Sequence, residues 1–296
     1  MFPPRFAYQA PRSLEEAISL LGSSGDYAKV LAGGQSLVPM MKLRFASPDV
    51  IIDINNLPGL DYHRAGPDGS FHVGALARHA DLEWSSLLGQ TQPTMAAAVP
   101  LIADPLVRNR GTLVGSLCHA DPQGDWAAVM IALKGQVVAQ GPAGRRTIDM
   151  KDFVTGPFET ALAHDEIAVE AVVPPAQGAR KGGYLKLERR VGDFATCGAA
   201  VALETGPAGD VIKAGIALCG VGGATIDAVD AADALIGQPL GPAVIDTAAS
   251  LAAGAANPGS DHRGSADYKR HMVHTFVTRL LTSPNAALDA SMRTAA

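Results

Sequence analysis

Only three cysteines, Cys118, Cys197 and Cys219, stand in 296 residues. At such long intervals they make neither a disulfide framework nor a Cys-x-x-Cys metal site, and they read as buried thiols of a cytosolic protein. No stretch of 18 consecutive apolar residues occurs, so the sequence predicts no membrane span. The opening MFPPRFAYQ has prolines where a signal sequence needs an apolar run, and no export signal is expected. Blocks of five like charges are missing too, and 24 Lys and Arg against 29 Asp and Glu give a net charge of −5. That balance argues against a nucleic-acid partner. Side-chain catalysis also lacks its usual signatures: there is no Gly-x-Ser-x-Gly, no His-Glu-x-x-His and no Cys-x-x-Cys. The expected compartment is the cytoplasm, with any membrane contact peripheral, at the inner face, and made through a partner.

What is present is an α/β pattern. Ser13-Leu-Glu-Glu16 predicts a capping box, with Ala17, Ile18, Leu20 and Leu21 as the apolar stripe and Gly22 as the stop. Strands are predicted at Tyr27–Ala32 and Val50–Ile54, with a short helix over Val38–Arg44 carrying Pro39 in its first turn. Further strands are expected at Gly69–Ala75, Gln136–Ala139, Arg146–Asp149 and Ile167–Val173. Helices are expected at His79–Leu88, Met95–Ile102 and Trp126–Leu133. Pro174–Gly183, rich in Pro, Gly and charge, reads as a linker. Beyond it, Phe194–Leu203 and Val211–Cys219 read as paired strands and Ala228–Ile236 as a helix. The clearest helix starts near Ala266, where Met272/Val273, Phe276/Val277 and Leu280/Leu281 recur every four residues. Ser265 or Asp267 would cap it, after the turn His262-Arg263-Gly264.

Leu31–Arg44 reads LAGGQSLVPMMKLR, two glycines between a strand and a helix. Consecutive amides in such a turn can form an anion nest, and Ser36 adds a hydroxyl; a plain structural turn is the alternative. The pattern is neither Gly-x-Gly-x-x-Gly nor the P-loop. Gly111-Thr-Leu-Val-Gly-Ser116 reads as a second loop of this kind, and two such loops suit a pyrophosphate better than either alone. His119, Asp121 and Asp125 lie within seven residues and invite a metal reading, against which stand hydrogen-bonded loops or contact with an organic ligand. Lys186, in YLKLERR, is either a solvated face residue or a complement to a phosphate or an electron-rich ring.

Four ordered motifs, AGGQSLVPMMKLR, LIADPLVRNRGTLVGSLCHADPQGDW, YLKLERRVGDFA and SDHRGSADYKRHM, resemble the FAD-binding medium subunits of molybdenum hydroxylases, above all the carbon monoxide dehydrogenase branch. The resemblance runs nearly end to end. It implies an α/β (α+β) chain with a two-part FAD-binding region of the vanillyl-alcohol-oxidase/molybdopterin-dehydrogenase type, residues 1–57 and 58–176. A smaller C-terminal α/β domain, residues 177–296, follows. It implies that Ala32, Gly33, Gly34, Gln35, Ser36 and Leu37 hold the FAD pyrophosphate, with Thr112, Gly115 and Ser116 completing the cradle. Asp125 would contact the cofactor's polar part, Leu101 and Ile102 would pack near the isoalloxazine, and Lys186 would reach the flavin. No metal is implied in this chain; a molybdenum cofactor and 2Fe-2S clusters are expected in a large and a small partner subunit, as a dimer of heterotrimers. The implied role is an electron relay from those clusters to quinone or another acceptor, in carbon monoxide oxidation or in oxidation of an N-heterocycle or aldehyde. A scaffold that has lost its flavin is the non-catalytic alternative. One departure stands out: the family reads Gly-Thr-Ile-Gly-Gly where this chain has Gly111-Thr-Leu-Val114-Gly115, and β-region dihedrals are expected at Val114.

Overall fold

A computed structural model describes residues 2–285. Besides a two-stranded ribbon of Val154–Gly156 and Glu159–Thr160, the described residues form three larger sheets. The first is parallel, with Val50–Asp53 between Ala7–Gln9 and Ala28–Leu31. Parallel neighbours need crossovers, and the helices Leu14–Ser24 and Leu37–Lys42 supply them. Ser13 Oγ accepts from the Glu16 amide at 3.1 Å, while the Glu16 carboxylate takes the Arg12 amide at 2.7 Å, one residue earlier than a standard capping box. The helix runs through Gly22 and stops only at Gly25, whose φ of 57° a side chain would resist.

The second sheet has five antiparallel strands in the spatial order His63–Ala65, Phe71–Gly74, Ile167–Val173, Gln136–Gly141, Gly144–Asp149. The third has four: Ala179–Leu187, Cys197–Thr205, Val211–Cys219, Ile226–Asp227. Every residue of Cys197–Thr205 is buried, because helices cover both faces. Successive side chains point to opposite faces of a strand, and the two faces belong to different cores. Cys197, Ala199, Val201 and Leu203 pack with the helices Pro242–Ala255 and Ala266–Thr282. Ala200 and Ala202 join the larger core, which includes the wholly buried helix Asp125–Ala132. That helix approaches so closely that a Cβ on Gly215 would lie 1.9 Å from the Ala132 carbonyl oxygen. No helix among the described residues is long and apolar enough to cross a membrane.

Several expectations need correcting. The predicted linker Pro174–Gly183 is linker only to Gly178; Ala179–Leu187 is a full strand, its Gly182 and Gly183 paired with Ala202 and Val201. Glycines serve there because a Cβ on Gly182 would meet Thr94 Oγ1 at 2.3 Å. The expected helix His79–Leu88 is two, His79–Glu83 and Ser86–Thr91, the second begun by its own cap, Ser85 Oγ on the Leu88 amide. The helix at 228–236 shrinks to Val229–Asp233. Ser265, not Asp267, caps the last helix. Most important, Leu113–Ser116 is no loop: Thr112 is the N-cap of a helix, Leu113–His119, and Val114 has helical rather than β dihedrals and is buried.

Candidate functional site

A cavity of about 580 Å³ lies where the first sheet meets the second, within the range of small-molecule sites. Its walls are the loop Ala32–Leu37, the start of the helix Leu113–His119, the Gly124–Asp125 corner and a far side that includes Leu162, Ile167 and Ala168. Ala32, Gly33, Gly34, Gln35, Ser36, Leu37, Ile102, Thr112, Gly115, Ser116 and Asp125 all line it. Leu101 and Lys186 do not.

The backbone gives this cavity its chemical character. Among the described residues none accepts a hydrogen bond from the amides of Gly34, Gln35, Ser36 or Leu37, so four successive donors stand unspent. Gly34, at φ 73°, turns the chain so that they follow one another, and its carbonyl takes the Val38 amide to start the next helix. Across the cavity, Thr112 Oγ1 satisfies the Gly115 amide at 3.1 Å and the Leu113 amide faces the Ala77 carbonyl through the antiparallel bridge Arg78–Thr112, while the Val114 amide has no acceptor among the described residues. Successive free N–H groups at a turn and at a helix start form an anion site, to which the helix dipole adds. A row of free amides and a helix start on one cavity suit two linked phosphates.

A polar strut holds the two in place. Asn55 Nδ2 donates to the Ala32 carbonyl at 2.8 Å and to Asp53 Oδ1 at 2.6 Å. Asn55 Oδ1 accepts from Arg78 Nη2 at 2.7 Å, and Arg78 Nη1 reaches the Arg110 carbonyl, also at 2.7 Å. The carbonyls just before the amide row and the helix start are thus tied through one asparagine and one arginine. Neither residue belongs to a motif, and the sequence reading missed both. The sole signal is the Asp-Ile-Asn spacing at 53–55, which places two polar residues at the C-terminal end of a strand, where ligands of parallel sheets bind.

His79 was missed too. It lines the cavity but is 4% exposed, and Trp126 Nε1 donates to its Nδ1 at 3.2 Å. Burial, seconded by Arg108 and Arg78, lowers its pKa from 6.5 to about 4. The neutral ring therefore carries its proton on Nε2, a donor without charge. An unfolded chain binds that proton below pH 6.5 and the folded one only near 4. Stability is therefore full above 6.5 and falls as pH drops through this window, by up to about 3 kcal/mol. Chemical denaturation at pH 7 and pH 4.5 should show this loss, and His79→Gln should lack that part of it; an unchanged difference would refute the assignment.

Behind the cavity wall lies a buried charged group. Asp125 Oδ1 accepts from Tyr184 Oη at 2.5 Å and Oδ2 from Lys186 Nζ at 3.2 Å. Lys186 also donates to the Leu101 carbonyl at 2.9 Å and stands 3.4 Å from Glu188 Oε2, with its side chain 1% exposed. Burial raises the Asp125 pKa, and Lys186 and Tyr184 oppose the rise. Lys186 thus belongs to the support of Asp125, not to the cavity lining, and Leu101 supplies a carbonyl to it.

Two other arrangements do less than they promise. His119 Nε2 is 4.0 Å from Asp121 Oδ2, while both Asp125 oxygens are taken, and no three His, Cys, Asp or Glu among the described residues converge on a metal position. Ser70 Oγ is 2.7 Å from His72 Nε2, and His72 Nδ1 is 2.9 Å from Glu170 Oε1, the spacing of a nucleophile triad. But Ser70 is 4% exposed, its hydroxyl is 2.5 Å from Asp68 Oδ1, and the amides of Gly69 and Ser70 are committed to Gly66 and Asp68. With no access and no oxyanion donors it is a cross-strand network.

Comparison with known proteins agrees with this geometry. Residues 4–176 match the family described as the FAD binding domain in molybdopterin dehydrogenase, and residues 183–283 the CO dehydrogenase flavoprotein C-terminal domain. The carbon monoxide dehydrogenase medium chain of Hydrogenophaga pseudoflava is 41% identical over 96% of this chain and 98% of its own. The nicotine 6-hydroxylase medium subunit of Paenarthrobacter nicotinovorans is 38% identical, over 96% and 98%. A solved carbon monoxide dehydrogenase from H. pseudoflava, in a form lacking the Mo-pyranopterin moiety of its molybdenum cofactor, superposes with a TM-score of 0.92 and 42% identity, covering 97% of this chain and 99% of that one.

Proposed function

This chain belongs to the family of FAD-binding subunits of the molybdopterin and carbon monoxide dehydrogenases, and from that premise we propose that it is the electron-relaying flavoprotein of a molybdenum hydroxylase complex. The observation that carries the reading is the row of free amides Gly34–Leu37 facing the helix start at Leu113–Val114, where the Val114 amide is free as well. They fit a diphosphate: they offer donors without charge, leave no Cβ at Gly33, Gly34 or Gly115, and sit in a cavity large enough for more than an anion. Gly33 to Leu37 would hold one phosphate and Leu113 to Ser116 the other. Ile102 and the Asp125 corner would bound the rest of the molecule, and His79 would offer an uncharged donor. FAD bound there supplies reversible transfer of electrons singly or in pairs. The chain's own part is to bind, orient and exclude water.

The relay reading also draws on what this chain does not provide. Three isolated cysteines give this chain no ligand set for an iron–sulfur cluster, and the relatives named as medium chains support electrons arriving from another subunit. We place the complex in the cytoplasm, a large molybdenum subunit and a small iron–sulfur subunit beside this one, with quinone or another acceptor downstream. Carbon monoxide is the substrate favoured by the higher identity to a carbon monoxide dehydrogenase chain; the nicotine 6-hydroxylase relative supports an N-heterocycle as the second reading. Affinity purification from the native host, with a visible spectrum and metal analysis, tests the assignment. Flavin, molybdenum and iron should co-elute. A colourless chain free of both metals would refute it.

A further inference from the structure

The segment GSDHRGSADYKRH, residues 259–271, is far from the cavity in sequence and lines none of it. Yet several side chains fasten this turn. Lys269, 5% exposed, donates to the Gly259 carbonyl at 3.0 Å and pairs with Asp261 at 2.8 Å. Asp261 Oδ1 accepts the Arg263 amide at 2.8 Å, and Ser260 Oγ the Ala266 amide at 2.9 Å. This bonding fixes the backbone of Arg263, and its guanidinium then reaches out: Nη1 donates to Gln123 Oε1 at 2.9 Å, across 140 residues of sequence.

Gln123 sits in a short, strained corner. Its own amide donates to Asp121 Oδ1 at 2.8 Å, the Gly124 amide closes on the Asp121 carbonyl at 2.8 Å, and Ala120 just before it is left-handed at φ 50°. The next residues are Gly124 and Asp125, both on the cavity wall, and Asp125 opens the helix to Ala132, which no side chain caps. A second strap from the C-terminal part, the Gly220 amide on the Pro122 carbonyl at 2.9 Å, holds the same corner. The corner that presents Asp125 to the cavity is therefore set from outside the cofactor-binding half.

We propose that Arg263 is a positioning residue of the cofactor site, acting through Gln123 on the Asp121–Gly124 corner. The proposal rests on the flavin reading above. Removing the guanidinium frees the corner to rotate, so Gly124 and Asp125 no longer hold one geometry at the cavity wall. Loss of one charge-assisted, half-buried hydrogen bond should weaken FAD binding about tenfold.

The test measures FAD affinity and release rate in the full chain for wild type, Arg263→Ala, Arg263→Lys, Gln123→Ala and the double alanine variant. Expected are about tenfold faster release in each single alanine variant, no further loss in the double, and partial recovery with lysine. The bound flavin's visible bands should lose fine structure in the alanine variants, while the flavin-free chain keeps its melting temperature. Gln123→Ala probes the link even where an Arg263 variant folds poorly. Release at the wild-type rate in both single variants overturns the proposal, as does a loss that follows a lowered melting temperature of the flavin-free chain. A wild-type chain that binds no FAD overturns the flavin reading itself, and the proposal with it.

Discussion

Gly33→Val is expected to lose FAD by about 100-fold or more in affinity, and Gly33→Ala most of that. The reason is a contact between the two halves of the site. A Cβ built on Gly33 lies 2.3 Å from the Arg110 carbonyl oxygen and 2.8 Å from the Gly111 Cα, both backbone atoms of the chain that leads into Thr112. Neither can swing aside: Arg78 holds that carbonyl at 2.7 Å, and the Gly111 carbonyl takes the His79 amide at 2.9 Å. The first methyl group thus wedges the amide row and the helix start apart. The clash begins at Cβ, so alanine already suffers it, whereas a residue that merely obstructed the ligand's approach would harm little until it became branched. Flavin absorbance retained after gel filtration separates these cases. Wild-type retention by Gly33→Ala would contradict the wedge.

Lys186→Met should cost about 3–5 kcal/mol of folding stability at neutral pH, the usual penalty for orphaning a buried charge. The methionine matches the stem in length, so packing changes little. What changes is that Asp125 keeps only the Tyr184 hydroxyl among the described residues, and Glu188 Oε2 loses the Lys186 ammonium 3.4 Å away. Without the ammonium, burial drives the Asp125 pKa further above its unfolded value. A carboxyl raised in that way is most stable protonated, so the variant's deficit should shrink as pH falls. Urea denaturation at pH 7 and pH 5 measures both effects. A variant as stable as wild type but with an altered flavin spectrum would instead place the lysine at the flavin, as the family resemblance implies.

Local signals in the sequence proved good guides to local structure. Ser13 with Glu16 marked a helix start, VIIDI a central strand, and the four-residue apolar repeat the helix Ala266–Thr282. What failed depended on distant partners. Ala7–Gln9 is exposed at every residue and exists as a strand only because Val50–Asp53 lies beside it. The helix Pro242–Ala255 went unseen because alanines form its buried stripe, and alanine marks periodicity weakly. Gly182 and Gly183 suggested a linker, although they are glycines so that a helix and a strand can touch. At the candidate site, the residues near the glycines were legible and the supports were not. Asn55, Arg78 and His79 act through bonds to residues up to 47 positions away, so no spacing announces them. The Thr112 segment was read as a loop because Gly and Ser dominate it, yet Thr112 Oγ1 on the Gly115 amide is an ordinary helix cap.

The proposed FAD site is this cavity, with the diphosphate held between the Gly34–Leu37 amides and the helix start at Leu113. Calorimetric titration of the flavin-stripped full chain with FAD, repeated in the presence of ADP, tests it most directly. One FAD per chain, competition by ADP, and much weaker binding of riboflavin, which has the ring but no phosphate, are expected. Riboflavin binding as tightly as FAD, or no FAD binding by a folded chain, would contradict it.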